Sequence, residues 1–101
     1  MISIHAASAL SGIYNAAHSA AQTFGNKVSV VDSQQISLGL GCQVWAAAEG
    51  IASGMSREAI LNMLEDLRKR IRLIAMLDTL EYVRRSGRVS WAKARIGGLL
   101  R

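Results

Sequence analysis

Three short runs of β-forming residues punctuate the chain, and the segments between them carry helical spacing. The runs are Ile2 to His5, then Lys27 to Asp32, reading Lys-Val-Ser-Val-Val-Asp, and then Leu73 to Leu77, reading Leu-Ile-Ala-Met-Leu. The last has no polar residue inside it, so the pattern predicts a strand buried on both faces, as in parallel sheets covered by helices. From Ser11 to Phe24, the positions Ile13, Ala17, Ala20, Ala21 and Phe24 fall on one helical face, with Ser11 as the N-cap. Ser37 to Ser53 is an alanine-rich helix interrupted by Gly39 and Gly41, where close packing is the simplest use of a glycine, and Gly54 is placed to end it. From Ser56 to Arg72, Ile60, Leu64, Leu67 and Ile71 form an apolar stripe. On the opposite side Glu65 and Asp66 stand four residues before Lys69 and Arg70. Asp78 and Glu81 have the spacing of a capping box, which opens a short helix to about Arg85 with a stop at Gly87. A last helical segment starts near Ser90.

The order is strand, helix, strand, two helices, strand, two helices, and each connection is long enough for a parallel crossover. The fold class is therefore α/β: a partial parallel sheet flanked by helices (β-α-β-α-α-β-α-α). Ile2 to His5, Val28 to Asp32 and Leu73 to Leu77 are expected to be parallel neighbours in one sheet. A chain of 101 residues holds one small domain and no second.

Composition sharpens this picture. Half of the residues are hydrophobic and 19% are charged, the balance of a packed segment and not of a disordered tail. Cys42, the single cysteine, has no partner for a disulfide and no second thiol for a metal site. It reads as a small core residue in a reducing, cytoplasmic compartment. His5 and His18 are too far apart in sequence to suggest a zinc site, and no cofactor is implied. Met1 is followed by Ile-Ser-Ile-His, without the basic start and unbroken apolar run of a signal peptide. The apolar stretch Ile36 to Met55 carries Gln43, Glu49 and several glycines, which suits a soluble helix better than a membrane span.

The net charge of +5 is unevenly placed, since Lys27 is the only Lys or Arg before Arg57 and the other eleven lie from Arg57 onward. Arg84, Arg85, Arg88, Lys93, Arg95 and Arg101 cluster around Trp91. Such a face suits an acidic protein partner or a transient contact with an anionic membrane surface. A nucleic-acid-binding or regulatory module using the basic C-terminal half is the alternative, although no recognition motif accompanies the charges.

The segment His5 to Gly12 is where chemistry concentrates. It leaves the first strand and enters the first helix, whose unpaired N–H groups and dipole favour an anion. Ser8 and Ser11 place two hydroxyls there, at the carboxyl end of a parallel strand, where open α/β folds take their ligands. The expectation is a small site for a carboxylate or phosphate. His5 and Ser8 could also suggest a base and a nucleophile, but there is no Gly-x-Ser-x-Gly elbow and no third member. Asp32 and Asp78 end strands as catalytic acids do, yet each precedes a helix start that a capping aspartate would serve.

The run Ile4-His5-Ala6-Ala7-Ser8-Ala9-Leu10-Ser11-Gly12-Ile13-Tyr14-Asn15-Ala16-Ala17 resembles the DegV family segment that has a pair of serines and then Leu-Ser-Gly-Thr-Tyr. Val31-Asp32-Ser33, followed by Ser37-Leu38-Gly39-Leu40-Gly41, is similar to the family's next block. Asp78-Thr79-Leu80-Glu81-Tyr82-Val83 with Gly87-Arg88-Val89-Ser90, and then Ile96-Gly97-Gly98-Leu99-Leu100, are similar to the blocks after it. The chain departs from the pattern at Ala7, Ile13 and Ala16, where the family has hydroxyl residues. The resemblance implies a carrier, not an enzyme, that holds one long-chain fatty acid between two domains. It implies presentation of the carboxylate to a fatty acid kinase for phospholipid synthesis, with Ser8 as a donor to that carboxylate and Ser11 and Gly12 beside it. It further implies that residues 1–101 are the central portion of a longer protein whose upstream and downstream regions complete the site.

Overall fold

The computed structural model describes residues 1–100, and the side chains of residues 1–92. The chain divides into two compact units, Met1–Ile71 and a second that begins at Arg72.

In the first unit, β1 (Ile2–His5) pairs in parallel with β2 (Ser29–Asp32), Ile2 lying opposite Ser29 and His5 opposite Asp32. The crossover between them is α1 (Ile13–Ala21), which tightens into a 3-10 segment, Gln22–Lys27, kinked at Gly25 (φ 57°). After β2 come α2 (Ser37–Ala52) and α3 (Arg57–Arg70). The signals for α3 are local: the Ser56 hydroxyl accepts from the Ala59 N–H at 3.2 Å, Glu58 stands in the first turn, and Arg68, Lys69 and Arg70 stand in the last. Arg70 pairs with Asp66 at 3.1 Å, an exposed i,i+4 contact that adds a few tenths of a kcal/mol at most. α2 ends where Gly54 adopts φ 79° and donates to the Ile51 carbonyl, the left-handed stop that glycine adopts without strain.

The core of this unit is small. Ile60 and Leu64 of α3 are 2% and 1% exposed and pack with Ala47 of α2, with Ile2 and Ile4 of β1 against them. α2 contributes small or polar residues to its buried side: Gly39, Gln43, Ala47 and Gly50. A Cβ at Gly50 would stand 3.1 Å from Ile60 Cγ1 and one at Gly39 2.6 Å from Gln35 Oε1, so both are close-approach positions. Gly41 faces open space, so packing does not explain it.

The second unit holds β3 (Leu73–Met76), α4 (Glu81–Arg85), α5 (Val89–Arg95) and β4 (Ile96–Leu100). Here the one-sheet expectation is corrected: among the described residues β3 pairs in parallel with β4, so two two-stranded parallel sheets stand in place of one of three strands. β4 escapes sequence reading because Gly97 and Gly98 disfavour a strand, and the register slips by one residue beside them. β3 alternates instead of being buried on both faces: Leu73 and Ala75 are half-buried while Ile74 and Met76 are 69% and 73% exposed. An apolar run states what each face would accept, and not which elements lie against it. The capping box also shifts, since α4 is capped at Leu80 and the Thr79 hydroxyl, not Asp78, receives the Glu81 N–H at 3.2 Å. Gly87, with φ 74°, ends this helix as expected.

Two further expectations are corrected in the first unit. The apolar stripe of α1 has no buried residue, and Ile13 and Phe24 are more than half exposed. Cys42 is exposed, because it lies on the outer side of α2 in line with Leu38 and Trp45, whereas the core takes the opposite side.

Candidate functional site

The parallel register sets His5 beside Asp32, so the chain leaves β1 and β2 on the same edge of the sheet, the edge where open α/β folds receive ligands. Two loops meet there, residues 6–12 and 33–36. Ala7 is 1% exposed and donates its N–H to the Gln35 carbonyl at 3.0 Å, which ties the loops together. The Ala7 carbonyl in turn accepts from Leu10 at 2.9 Å and Ser11 at 3.1 Å. That turn delays the helix. Its N-cap is Gly12 and not Ser11, whose hydroxyl accepts from the Ile13 N–H at 3.3 Å.

Asp32 is the hub. Its Oδ1 accepts the backbone N–H of Ser8 at 3.2 Å and of Gln34 at 2.9 Å, and its Oδ2 accepts the Ser8 hydroxyl at 2.5 Å, a short charge-assisted bond. The carboxylate is thus a clamp between loops and not the cap of α2, whose N-cap is Ile36 without a side-chain bond. Arg68 of α3 donates to the Asp32 carbonyl at 2.7 Å and fixes the same residue from behind.

The 33–36 loop is held from beneath. Ser33 is fully buried; its hydroxyl donates to the Gln35 carbonyl at 3.1 Å and accepts the Gln35 N–H at 3.2 Å. Gln43, also fully buried, donates Nε2 to the carbonyls of Ser33 at 2.9 Å and Gly39 at 3.2 Å. These bonds hold Gln34 (φ 55°) and Ser37 (φ 51°) in the left-handed region, which costs a non-glycine residue on the order of 1 kcal/mol or more.

Apolar grooves flank the sheet on both faces, following the strands' alternation. One, of about 300 Å³, is lined by Ile2 and Ile4 with Val44, Ala47, Ala48 and Ile51 of α2. The other, of about 230 Å³, runs between α1 and the opposite face, past Val28, Val30, Ala17 and Phe24, and reaches His5 at the carboxyl edge.

Ser8, Ser11 and Gly12 therefore lie in one loop, on the edge from which α1 and α2 both start without side-chain caps. Two helix dipoles suit an anionic head group there, and the apolar groove along α1 reaches His5 on the same edge. A hydrolytic pair is not formed: His5 Nε2 pairs with the Ser3 hydroxyl at 2.5 Å, and the Ser8 hydroxyl is held by Asp32. His18 is exposed on α1, its ring 5.9 Å from that of Tyr14. Among the described residues no group of three His, Cys, Asp or Glu is placed to hold a metal, and no helix is long and apolar enough to cross a membrane. Of the basic cluster, Arg84, Arg85 and Arg88 are exposed and Arg85 pairs with Glu81. Lys93, Arg95 and Arg101 lie outside the described side chains.

Sequence reading missed Asp32 as the partner of Ser8, and Gln43 and Arg68 as supports. The signal for Asp32 was available: if the first two strands are parallel neighbours, the residues that end them are side by side. Gln43 is marked by its place as a polar residue in line with Gly39, Ala47 and Gly50.

Comparison with known proteins adds an independent observation. The family model described as "Uncharacterised protein, DegV family" matches residues 1–101. A DegV domain-containing protein of Deinococcus radiodurans is 42% identical over 100 residues, covering 99% of this chain and 36% of that protein. One from Staphylococcus aureus strain COL is 40% identical over 101 residues, all of this chain and 36% of its own length. The chain thus spans little more than a third of these curated relatives. A solved structure described as "Fatty Acid Binding of a DegV family Protein from Thermus thermophilus" is similar with a TM-score of 0.79 and 41% identity, over 98% of this chain and 35% of that one.

Proposed function

The chain belongs to the DegV family, and on that premise we propose that the protein is a fatty-acid-binding carrier without catalytic activity of its own. The observation that carries this reading is the meeting of an apolar groove with a polar, uncapped strand edge: the groove along α1 ends at His5, one turn of loop from Ser8. An alkyl chain fits the first and a carboxylate the second. The Thermus thermophilus relative, described by its fatty acid binding, supports the same ligand class. In this reading Ser8 contacts the carboxylate, and Ser11 and Gly12 bring the start of α1 against it. The carrier presents that carboxylate to a fatty acid kinase in the cytoplasm, for phospholipid synthesis. The exposed arginines of α4 suit the kinase's acidic surface or a passing contact with anionic lipid.

Ser8→Ala tests the site. Losing a hydrogen bond to a charged group costs about 1.5–3 kcal/mol, and part of that is recovered here because Ser8 already makes such a bond to Asp32 without ligand. The expected result is roughly tenfold weaker binding of a long-chain fatty acid, measured by titration of the full-length protein. Unchanged affinity in a folded variant would make Ser8 a structural residue only.

A further inference from the structure

We propose that Asp32 is a positioning residue that competes with the ligand for the proton of the Ser8 hydroxyl, and so sets how tightly an acid head group is held. The inference rests on the reading of Ser8 as a head-group contact. Its own basis is the division of labour between the two carboxylate oxygens. Oδ1 takes the backbone N–H groups of Ser8 and Gln34, which shape the loops, while Oδ2 takes the Ser8 hydroxyl and, among the described residues, no other donor. A hydroxyl has one proton to give. While that proton points at Oδ2, Ser8 offers an incoming carboxylate only its oxygen, acceptor facing acceptor. To bind the acid, Ser8 must turn from Asp32 to the ligand, leaving Oδ1 with its two N–H donors and a negative charge close by. An acid is therefore held less tightly than the loop geometry alone would allow, which suits a carrier that has to release its cargo.

Asp32→Asn separates the two oxygens. The side-chain oxygen keeps the two backbone N–H groups, because turning the amide over would lose both, so the amide nitrogen replaces Oδ2. That nitrogen donates to the Ser8 oxygen and frees the hydroxyl proton to face the ligand. The full-length protein, Asp32→Asn, Ser8→Ala and the double variant are titrated with a long-chain fatty acid and with the alcohol of the same length, folding being checked by thermal melting. The expected result is that Asp32→Asn tightens the acid roughly threefold to tenfold, leaves the alcohol within about twofold, and loses its effect on the acid when Ser8 is Ala. Asp32→Asn that fails to tighten the acid, or tightens it equally in the Ser8→Ala background, overturns the inference. In the first case Asp32 does not compete for the proton, and in the second it acts by charge alone. If Ser8→Ala itself leaves the acid unchanged, the head-group reading falls and takes the inference with it.

A measurement on the unsubstituted protein keeps the question open to test if Asp32→Asn does not fold. With its proton held by Asp32, Ser8 can accept from an alcohol but gives nothing to the methyl ether of the same chain. The alcohol is expected to bind roughly threefold to tenfold more tightly than the ether, with Ser8→Ala abolishing the difference. Equal affinities would show that the Ser8 proton is free, and would contradict the proposal.

Discussion

Leu64→Ala is expected to lower the stability of the first unit by about 2–5 kcal/mol, a large share of the 5–15 kcal/mol typical of a whole domain. Leu64 is 1% exposed, and among the described residues it and Ile60 are the large aliphatic side chains that are completely enclosed. The rest of that core is Ala47 with the partly buried Ile2, Ile4, Ala46 and Met63, and the Ile60 side chain already lies close against Gly50, so little can move to fill a cavity. Urea unfolding followed by circular dichroism should show a lower midpoint with little change in slope. A loss below about 1 kcal/mol would mean that this cluster is not what holds the unit together.

Gln43→Glu is expected to destabilise by about 3 kcal/mol or more at neutral pH, although it exchanges one nitrogen for one oxygen. The amide nitrogen it replaces donates to the Ser33 and Gly39 carbonyls inside a fully buried site. An ionised carboxylate would face two acceptors there, while the protonated form can donate to one of them. Burial therefore raises the folded-state pKa of the new acid above its unfolded value of about 4.3. A raised pKa means that the folded state binds the proton more tightly, so the variant is most stable at low pH and loses stability as pH rises above the unfolded value. The difference between Gln43→Glu and Gln43→Met, measured by denaturant melts from pH 4 to pH 8, should widen steadily. A difference that does not change with pH would place position 43 in contact with water.

Much of the first unit was legible because its signals are local. The Ile60 and Leu64 stripe and the Gly54 stop need no distant partner, and each falls where the sequence puts it. The parallel crossover from β1 to β2 follows from chain length and handed connection alone. Ser8, Ser11 and Gly12 do share a loop at the strand edge, but the helix starts after Gly12 because the Ala7 carbonyl closes a turn first, a detail no propensity encodes. What failed depended on which surfaces meet. α2 is apolar nearly all round, so its pattern could not say that Gly39, Gln43 and Ala47 face inward while Leu38 and Trp45 face out. β4 was hidden likewise, because Gly97 and Gly98 argue against a strand, while its pairing with β3 runs through Ile96, Leu99 and Leu100.

The central claim, that this protein carries a fatty acid, is tested most directly by extracting lipid from the purified full-length protein and identifying it by mass spectrometry, with the protein quantified alongside. The account expects about one long-chain fatty acid per protein, unesterified, with saturable rebinding once it has been removed. Protein that yields no fatty acid and shows no saturable binding when one is added would contradict it.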